Sequence, residues 1–494
     1  MTIDPAIRAI RVTAVNSAPV AARGAYVVYW MIAARRSSHN FALDHAIERA
    51  IELGRPLIVV EPLRAGYAWA SERMHAFVLQ GMADNAAAFA GAGIAYHPYV
   101  EPTLGHGTGL LVALAEKACL VVTDEQPGFF LPRMVAAAGA KLRVRLEQVD
   151  GNGILPLRAS EKAYPTAAVF RRHWQKVIGP HLIARPSAEP FGKLPRVVKN
   201  GALPAAVIKR WPAASPALLG VESAALATLP IDHAVAPVAA VPGGSRAAAH
   251  VLDDFIEHKL ARYGDGHNHP DDDAASGLSP WLHFGHISAH EVAERVWAHA
   301  KWHPARVLDA KATGSRDGWW GVPPGPSSFL DELITWRELG YGFCFHRPDY
   351  DQWSSLPDWA QKTLTEHASD PRPEHYTPKQ LEAAETEDPV WNAAQRQLVG
   401  EGRIHNYLRM LWGKKILEWS PSPKRALATL IELNNKYAID GRDPNSYSGI
   451  FWTLGRFDRP WAPIRPIFGC IRYMSSASTI KKLRLKQYLA RWAQ

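Results

Sequence analysis

Cysteine is scarce in this chain of 494 residues, which contains only Cys119, Cys344 and Cys470. The three lie far apart and none belongs to a CxxC pair, so the sequence excludes a disulfide framework and argues against a zinc or iron–sulfur site built on four cysteines. Histidine is present 21 times, but without an HExxH motif or a ligand triplet, and we predict no metal site. A reducing compartment, the cytoplasm, fits this composition.

A long apolar run is also missing. The longest one, residues 25–34, has about half the length that crossing a bilayer requires. The opening residues, MTIDPAIRAIRV, contain no apolar signal core. We therefore expect neither membrane insertion nor secretion through a standard signal.

Basic residues exceed acidic ones only moderately, 56 against 47, which gives a net charge of +9. Such a surplus favours an anionic partner such as nucleic acid, although it also fits an ordinary soluble protein. Tryptophan is the unusual component, because its 18 residues outnumber the 15 tyrosines and the 15 phenylalanines. Most of these indoles follow residue 280, where they indicate either a tryptophan-rich core or stacking and electron transfer between flat rings.

The first 150 residues alternate between strand-like and helix-like patterns. Five β-prone runs are separated by four segments with helical periodicity: YVVYW, PLIVVEPL, IAYHPYV, LVVTDE and LRVRLEQVD. This alternation predicts a doubly wound parallel sheet, whose ligands would bind at the carboxyl ends of the strands.

The composition changes twice further along. Residues 185–244 are rich in alanine and proline, and we predict that residues 161–244 form a connection over the surface that is helical in part at most. Residues 245–494 carry apolar side chains at helical spacing. The predicted fold class is therefore α/β, with a doubly wound domain over 1–160, the connection, and an all-α domain over 245–494.

Two segments of the helical half carry candidate redox and ligand chemistry. Trp412 and Trp419 are seven residues apart and share a helix face, with Trp391 one element earlier. They are either core residues or a chain for electron transfer to a buried cofactor. The polar stretch NNKYAIDGRDPNSYSG, 434–449, is either a surface turn or a set of hydrogen-bonding groups for a ligand.

Two further segments carry polar groups beside apolar ones. Ser276 and Ser279 lie in a Gly/Ser turn before a helix, where they could hold a phosphate or cap a loop. Glu332 and Trp336 are four residues apart on a predicted helix. The pair could hold a nucleobase by hydrogen bonding and stacking, or could belong to an ordinary amphipathic helix.

Taken together, six segments resemble the photolyase/cryptochrome superfamily, and specifically class II cyclobutane pyrimidine dimer photolyases. They occur in the expected order over most of 245–475: SGLSPWLHFG, FLDELITWREL, WNAAQ, RMLWGKKILEW, LNNKYAIDGRDPNSY and FGCIRYMS. The resemblance implies a lyase that binds FAD in the helical domain and repairs ultraviolet-damaged DNA. Reduced, light-excited FAD would inject an electron into a dimer flipped out of the duplex. We expect a monomer.

The same resemblance implies roles for individual residues. It assigns cofactor binding to nine residues: Tyr263, Ser276, Leu278, Ser279, Gln395, Arg409, Asp440, Gly441 and Arg442. Asn434 resembles the asparagine beside flavin N5, which stabilises the reduced form. The electron-transfer residues, from the flavin outward, are Trp412, Trp391 and Trp419. In the lesion pocket, Glu332 resembles the carboxylate that hydrogen-bonds the dimer, and the remaining contacts are Trp336, Trp452 and Met410.

Departures from the family pattern leave other points open. Ala33, Ala34 and His39 stand where relatives carry an Arg-Asp pair and a later Asp near their antenna pocket. These differences weigh against a deazaflavin or folate antenna and leave the presence of a second chromophore open.

The sequence also leaves two alternative functions open and contains candidate residues for binding DNA phosphates. A cryptochrome-like blue-light sensor would use the same FAD, but Glu332, Trp336 and Trp452 favour repair. A (6-4) photolyase needs histidines facing the lesion, for which His405 is the candidate. Contacts to DNA phosphates would come from basic residues near the carboxyl end: Arg456, Arg459, Arg465, Arg472 and the tail IKKLRLKQYLARW.

Overall fold

A computed structural model describes residues 9–307 and 310–493 of the chain. Their contacts divide the chain into two compact units. The first contains the described residues up to Glu161, then Val177–Asp253 and those from Leu278 to 307, and the second contains Lys162–Lys176, Asp254–Gly277 and those from 310 onward. Among the described residues, none of the helices combines the length and the apolar content that spanning a bilayer requires. The boundaries 160 and 244 stay a prediction.

The first unit contains a six-stranded sheet with the order β1-β6-β5-β2-β3-β4. All neighbours are parallel except β1, which runs antiparallel to β6. The strands are β1 Val12–Ala14, β2 Tyr26–Trp30, β3 Leu57–Leu63, β4 Ala95–Val100, β5 Ala118–Glu125 and β6 Arg145–Asp150. The five predicted strands are confirmed. Sequence patterning missed β1, because three residues are too few to show an alternation.

Helices are the other main element of the described chain. In chain order they are α1 Phe41–Leu53, α2 Glu72–Ala92, α3 Leu110–Ala115, α4 Leu131–Gly139, α5 Ala167–Val177, α6 Gly179–Ile183, α7 Ala205–Arg210, α8 Pro216–Leu219, α9 Ser223–Leu226, α10 Ser245–Asp254, α11 Tyr263–Gly266, α12 Ser279–His283, α13 Ala289–His299, α14 Pro324–Leu330, α15 Arg337–His346, α16 Asp358–Glu366, α17 Pro378–Glu382, α18 Pro389–Glu401, α19 Asn406–Trp419, α20 Pro423–Tyr437, α21 Pro444–Trp452, α22 Ser476–Lys482 and α23 Lys486–Arg491. Two π-helical turns, Phe255–Lys259 and Asp331–Trp336, interrupt this pattern.

The central strands of the sheet are buried along their whole length because both of their faces are covered, although β5 ends in the polar residues Thr123, Asp124 and Glu125. Every residue of β2 and β5 is buried, as is typical of parallel sheets packed on both sides. Asp124, near the carboxyl end of β5, accepts hydrogen bonds from the backbone N–H groups of Ile32, Ala33 and Ala34 at 2.8, 2.7 and 3.0 Å. The turn that follows β2 is therefore fixed by a carboxylate of the protein itself.

The predicted connection 161–244, which contains the alanine- and proline-rich residues, does not run only over the surface. Trp174 in α5 and Trp211 after α7 are 1% and 3% exposed. The Trp211 indole nitrogen donates to the carbonyl oxygen of His106 at 2.8 Å. The composition of this stretch indicated a linker, but individual large side chains bury themselves and hold it in place. An average composition cannot reveal the contacts of individual residues.

The π-helical turn Asp331–Trp336 is held by a buried ion pair with α5. Arg171 Nε and Nη2 donate to the two carboxylate oxygens of Asp331 at 2.7 and 2.8 Å, and the side chains are only 10% and 5% exposed. Thr335 donates its hydroxyl to Asp331 Oδ1 at 2.6 Å, and the Trp174 indole nitrogen donates to that hydroxyl at 3.1 Å. π-Helical turns are rare and often lie at functional sites.

We expect Asp331→Asn to lower the free energy of unfolding by about 3 kcal/mol, because it leaves the Arg171 charge buried without its counter-ion. The matched control is Asp349→Asn, which breaks an Arg347–Asp349 pair whose side chains are 40% and 32% exposed. Exposed pairs contribute about 1 kcal/mol or less. Urea denaturation followed by circular dichroism measures both changes, and equal losses would contradict the structural role of Asp331.

Candidate functional site

Three buried indoles form a continuous cluster between α18 and α19 in the second unit. Trp391 of α18 lies parallel to Trp412 of α19, with ring centroids 6.5 Å apart and an interplanar angle of 4°. Trp391 also contacts Trp419 edge-on, at 5.4 Å and 75°. The exposed fractions of Trp391 and Trp412 are 0% and 2%. The three tryptophans named from the sequence are thus brought together, with Trp391 in contact with both of the others.

The indole nitrogens of the two innermost rings are hydrogen-bonded within the protein. Trp391 Nε1 donates to the backbone carbonyl oxygen of Trp412 at 3.0 Å, and Trp412 Nε1 donates to Gln395 Oε1 at 2.9 Å. Gln395 Nε2 in turn donates to the carbonyl oxygen of Glu382 at 3.2 Å. Both ends of the Gln395 amide are therefore bonded to the protein itself.

The outer end of this cluster involves residues that sequence reasoning missed. Tyr376 lies edge-on to Trp419, with ring centroids 5.0 Å apart, and the Lys415 ammonium lies 5.3 Å from the centre of the Trp419 ring. Tyr376 precedes the short helix α17 and belongs to none of the motifs, so only the tertiary fold reveals its contact.

Asn434, near the end of α20, contains a buried acceptor that lacks a donor. Its Nδ2 donates to Ser446 Oγ at 2.9 Å and to Asn435 Oδ1 at 3.1 Å. Its Oδ1 has no hydrogen-bond partner among the residues that the structure describes, and the residue is 1% exposed. An unpaired buried acceptor is costly, so this position fits a ligand that presents an N–H or O–H group.

The turn after α20 is fixed by Gly441 and Arg442. A Cβ on Gly441 would lie 2.9 Å from the carbonyl oxygens of Ala438 and Asn434, so only glycine fits this close approach. Arg442 has φ of 70°, and its Nη1 donates to the Asn435 carbonyl oxygen at 2.7 Å. The Arg442 guanidinium is thus engaged with the end of α20.

Arg409 of α19 and Asp440 of the same turn form an ion pair. The distance from Arg409 Nη2 to Asp440 Oδ1 is 3.1 Å, and the side chains are 14% and 13% exposed. Two predicted cofactor residues, one from a helix and one from a turn, are therefore in contact. Their partial burial places a paired charge close to the polar stretch that contains Asn434.

Glu332 and Trp336 occur at the start and end of the π-helical turn, and both are half-buried. Burial, together with the neighbouring Asp331 carboxylate, raises the pKa of Glu332 to about 7, while Arg316 and Arg171 act in the opposite direction. Near neutral pH this carboxyl group therefore exchanges between a form that donates a hydrogen bond and a form that only accepts.

Tyr263 of α11 is buried, and it stacks on His267 with a centroid distance of 4.6 Å. Burial raises the pKa of its hydroxyl well above the usual value, and the carboxyl groups of Glu332 and Asp331 add to that shift. A predicted cofactor residue and the predicted lesion-binding carboxyl therefore interact electrostatically within the second unit.

Two predicted lesion contacts lie where α19 and α21 approach each other. Met410 of α19 lies close to α21, because its Cε is 3.8 Å from the position that a Cβ atom on Gly449 would occupy. Trp452, the last residue of α21, is half-buried, and the Arg472 guanidinium lies 5.7 Å from the centre of its ring.

Lys414 is a buried charged residue beside Trp452 that sequence reasoning missed. Its Nζ donates to the Thr453 carbonyl oxygen at 2.6 Å and lies 5.2 Å from the Trp452 ring centre. The side chain is fully buried, and burial lowers its pKa to about 7. Adjacent lysines in a helix usually indicate a solvated face, so the sequence carried no signal for this position.

The predicted phosphate-binding segment is divided between the units. Ser276 is half-buried and belongs to the second unit, whereas Leu278 and Ser279 belong to the first. Leu278 is 1% exposed, and the exposed Ser279 begins α12. Their assignment to FAD stays a prediction.

The prediction that Arg456 contacts a DNA phosphate is wrong. Arg456 is 1% exposed, and its guanidinium lies 4.2 and 3.8 Å from the ring centres of Phe343 and Phe451. It cannot reach a phosphate from this position. Arg459 remains exposed and lies over Trp461, with its guanidinium 4.7 Å from the ring centre.

Curated relatives match this chain over nearly its whole length. Deoxyribodipyrimidine photo-lyase of Methanothermobacter thermautotrophicus is 34% identical over 490 residues, which cover 98% of each chain. The protein of the same name from Oryza sativa subsp. japonica is 35% identical over 485 residues, covering 94% of this chain and 87% of the relative. None of the protein-family models matches.

Solved structures show the same fold. A class III photolyase from Agrobacterium tumefaciens superposes with a TM-score of 0.65 at 19% identity, covering 95% of this chain and 86% of that one. A cryptochrome from Synechocystis sp. PCC6803 superposes with a TM-score of 0.67 at 16% identity, covering 94% and 88%. The predicted fold class, an α/β sheet domain followed by a helical domain, is thus confirmed. With 34–35% identity over nearly all of its length to these relatives, the chain belongs to the deoxyribodipyrimidine photolyase family.

Proposed function

We propose that this chain repairs cyclobutane pyrimidine dimers in DNA, as a class II photolyase that uses blue light absorbed by bound FAD. The observation that carries the proposal is the contiguous indole cluster of Trp412, Trp391 and Trp419 in the same helical unit as a carboxyl group with a pKa of about 7, Glu332. The ring cluster could carry the electrons that reduce bound flavin in the light, and the carboxyl group could recognise a nucleobase of the lesion.

Residues of the polar stretch fit a flavin. The unpaired Asn434 Oδ1 would accept a hydrogen bond from a ring N–H, and the Arg409–Asp440 pair supplies charge near the polar stretch. When bound and reduced, FAD supplies on excitation the electron that splits the cyclobutane ring and then recovers it. The protein supplies burial, orientation and hydrogen bonds. Whether a second chromophore binds stays open, and the monomeric state and cytoplasmic location stay predictions.

Lesion recognition would fall to Glu332, Trp336, Met410 and Trp452. The protonated Glu332 carboxyl would donate a hydrogen bond to a carbonyl oxygen of the flipped dimer, and the two indoles would pack on its bases. Lys414 holds the end of α21 through the Thr453 carbonyl and so orients Trp452. A light sensor does not need such a pocket.

The histidine nominated for (6-4) repair does not favour that chemistry. Burial, together with the neighbouring His267 and His269, lowers the pKa of His405 to about 4. The imidazole is therefore neutral near pH 7 and carries no additional proton for an acid step.

A direct test presents both photoproducts to the purified protein under blue light. We expect a flavin absorption spectrum, preferential binding of irradiated DNA, and restored thymine absorbance from the cyclobutane dimer but not from the (6-4) product. Flavin without cleavage of either lesion would identify a sensor, and cleavage of the (6-4) product alone would reverse the assignment.

Trp412→Phe should abolish photoreduction of oxidised FAD, because phenylalanine is much harder to oxidise and the path from Trp391 is interrupted. The enzyme reduced chemically in advance should still repair dimers, which controls for folding and for lesion binding. Steady illumination with an external reductant, followed by absorption, measures the first effect. Photoreduction at the wild-type rate would remove the electron-transfer role of this cluster.

Repair by reduced enzyme should decline as pH rises through about 7, because ionised Glu332 no longer donates a hydrogen bond. Glu332→Gln keeps a donor that does not titrate, so its repair rate should be flatter across this interval. Because the folded-state pKa lies above the unfolded value of 4.5, ionisation also destabilises the fold as pH rises between these values. Identical pH profiles for both proteins would exclude Glu332 as the titrating group.

A further inference from the structure

The resemblance assigned Gln395 to cofactor binding, but both ends of its buried amide are bonded to the protein itself. The residue is 0% exposed and lies in α18, four positions after Trp391. Its Oε1 accepts the indole N–H of Trp412 at 2.9 Å, and its Nε2 donates to the Glu382 carbonyl oxygen at 3.2 Å. The second bond orients the amide, so that its oxygen rather than its nitrogen faces the indole.

We infer that Gln395 is a positioning residue that keeps the indole proton of Trp412 on its nitrogen while Trp412 is oxidised, an inference that rests on the proposed function. One electron leaves the Trp412 ring for light-excited, oxidised flavin. No bond breaks, the proton stays on Nε1, and Trp412 becomes a cation radical. One electron from Trp391 then restores Trp412 and transfers the positive charge outward.

The chemistry of the acceptor explains this role. Loss of an electron makes an indole N–H far more acidic, so a neighbouring base would remove its proton. An amide oxygen is a good hydrogen-bond acceptor and a very weak base. It stabilises the charged donor more strongly than the neutral one, and it does not take the proton. Trp412 is 2% exposed, so bulk water has little access to the ring.

The next ring has an equivalent environment. Trp391 Nε1 donates to the Trp412 carbonyl oxygen at 3.0 Å, and a backbone carbonyl is equally unable to accept a proton near neutral pH. An electron can therefore pass from Trp391 to Trp412 with no proton, and the positive charge moves from Trp412 to Trp391. With ring centroids 6.5 Å apart, this step does not wait for a proton transfer.

The test compares Gln395→Glu and Gln395→Leu with wild type by flash absorption of the oxidised holoenzyme. Wild type should show a tryptophan cation radical. Gln395→Leu removes the acceptor and should lower the yield of charge separation by about tenfold. Gln395→Glu provides a carboxylate that takes the proton, so the neutral radical should appear, with a solvent deuterium effect on its formation.

A second readout needs no flavin. In the ¹⁵N–¹H spectrum of the flavin-free protein, the indole signal that Trp412→Phe removes should shift in Gln395→Leu, because its hydrogen bond is lost. The matched control is Gln397→Leu in the same helix. Gln397 is 8% exposed and its Oε1 accepts from the His405 backbone N–H and the Tyr488 hydroxyl at 3.1 and 2.9 Å. That variant should leave the Trp412 signal and the radical unchanged.

The outcomes separate the two proposals. Wild-type radical spectra and yields in both Gln395 variants, with flavin bound and photoreduced, would overturn the role of Gln395 and leave the proposed function intact. Absence of flavin binding, with no dimer cleavage by the reduced wild-type protein, would overturn the proposed function, and this inference with it, even where the indole signal shifts as expected. A neutral radical in Gln395→Glu, together with the indole shift in Gln395→Leu, supports the inference.

Discussion

The packing of Trp391 against Trp412 and Trp419 is the interaction on which the arrangement of the helical unit depends. It holds α18 on α19, and these two helices carry Gln395 and Arg409 as well as the indoles. Both innermost N–H groups are bonded within the same pair of helices. The rings can therefore stay buried without an unsatisfied donor, which is the condition for a dry path between aromatic rings.

Helical periodicity predicted the elements of this unit well, but it did not predict which residues meet. Spacing placed Trp412 and Trp419 on one face of α19, and the structure shows that Trp391 is the ring in contact with both. That contact depends on the turn between α18 and α19, where Gly402 adopts φ of 67°. Sheet patterning was similarly successful for the five longer strands, and it failed for β1, whose pairing with β6 is long-range.

Charged residues were the least predictable part of the site. Lys414 stands beside Lys415 in a helix and Arg456 was a candidate DNA contact, so both were expected in solvent, yet they are 0% and 1% exposed. From sequence alone, lysine and arginine are predicted to lie at the surface, because their burial is rare. Here the cost of burial is offset by contacts from distant segments, the Thr453 carbonyl for Lys414 and two phenylalanine rings for Arg456. Only the tertiary structure brings such partners together.

The polar groups of the stretch 434–449 differ in whether the protein itself supplies their hydrogen-bond partners, and this difference separates structural residues from candidate ligand-binding ones. Within 434–449, Arg442 directs its guanidinium to backbone carbonyls at the end of α20, and Asn435 bonds to the Tyr447 hydroxyl. Asn434 instead keeps a buried oxygen for which the described residues offer no donor. Since leaving such an oxygen unpaired costs free energy, its persistence is explained if an external donor completes it. The motif therefore builds its own scaffold with most of its polar groups, and Asn434 is the residue whose unpaired oxygen supports the proposed cofactor contact.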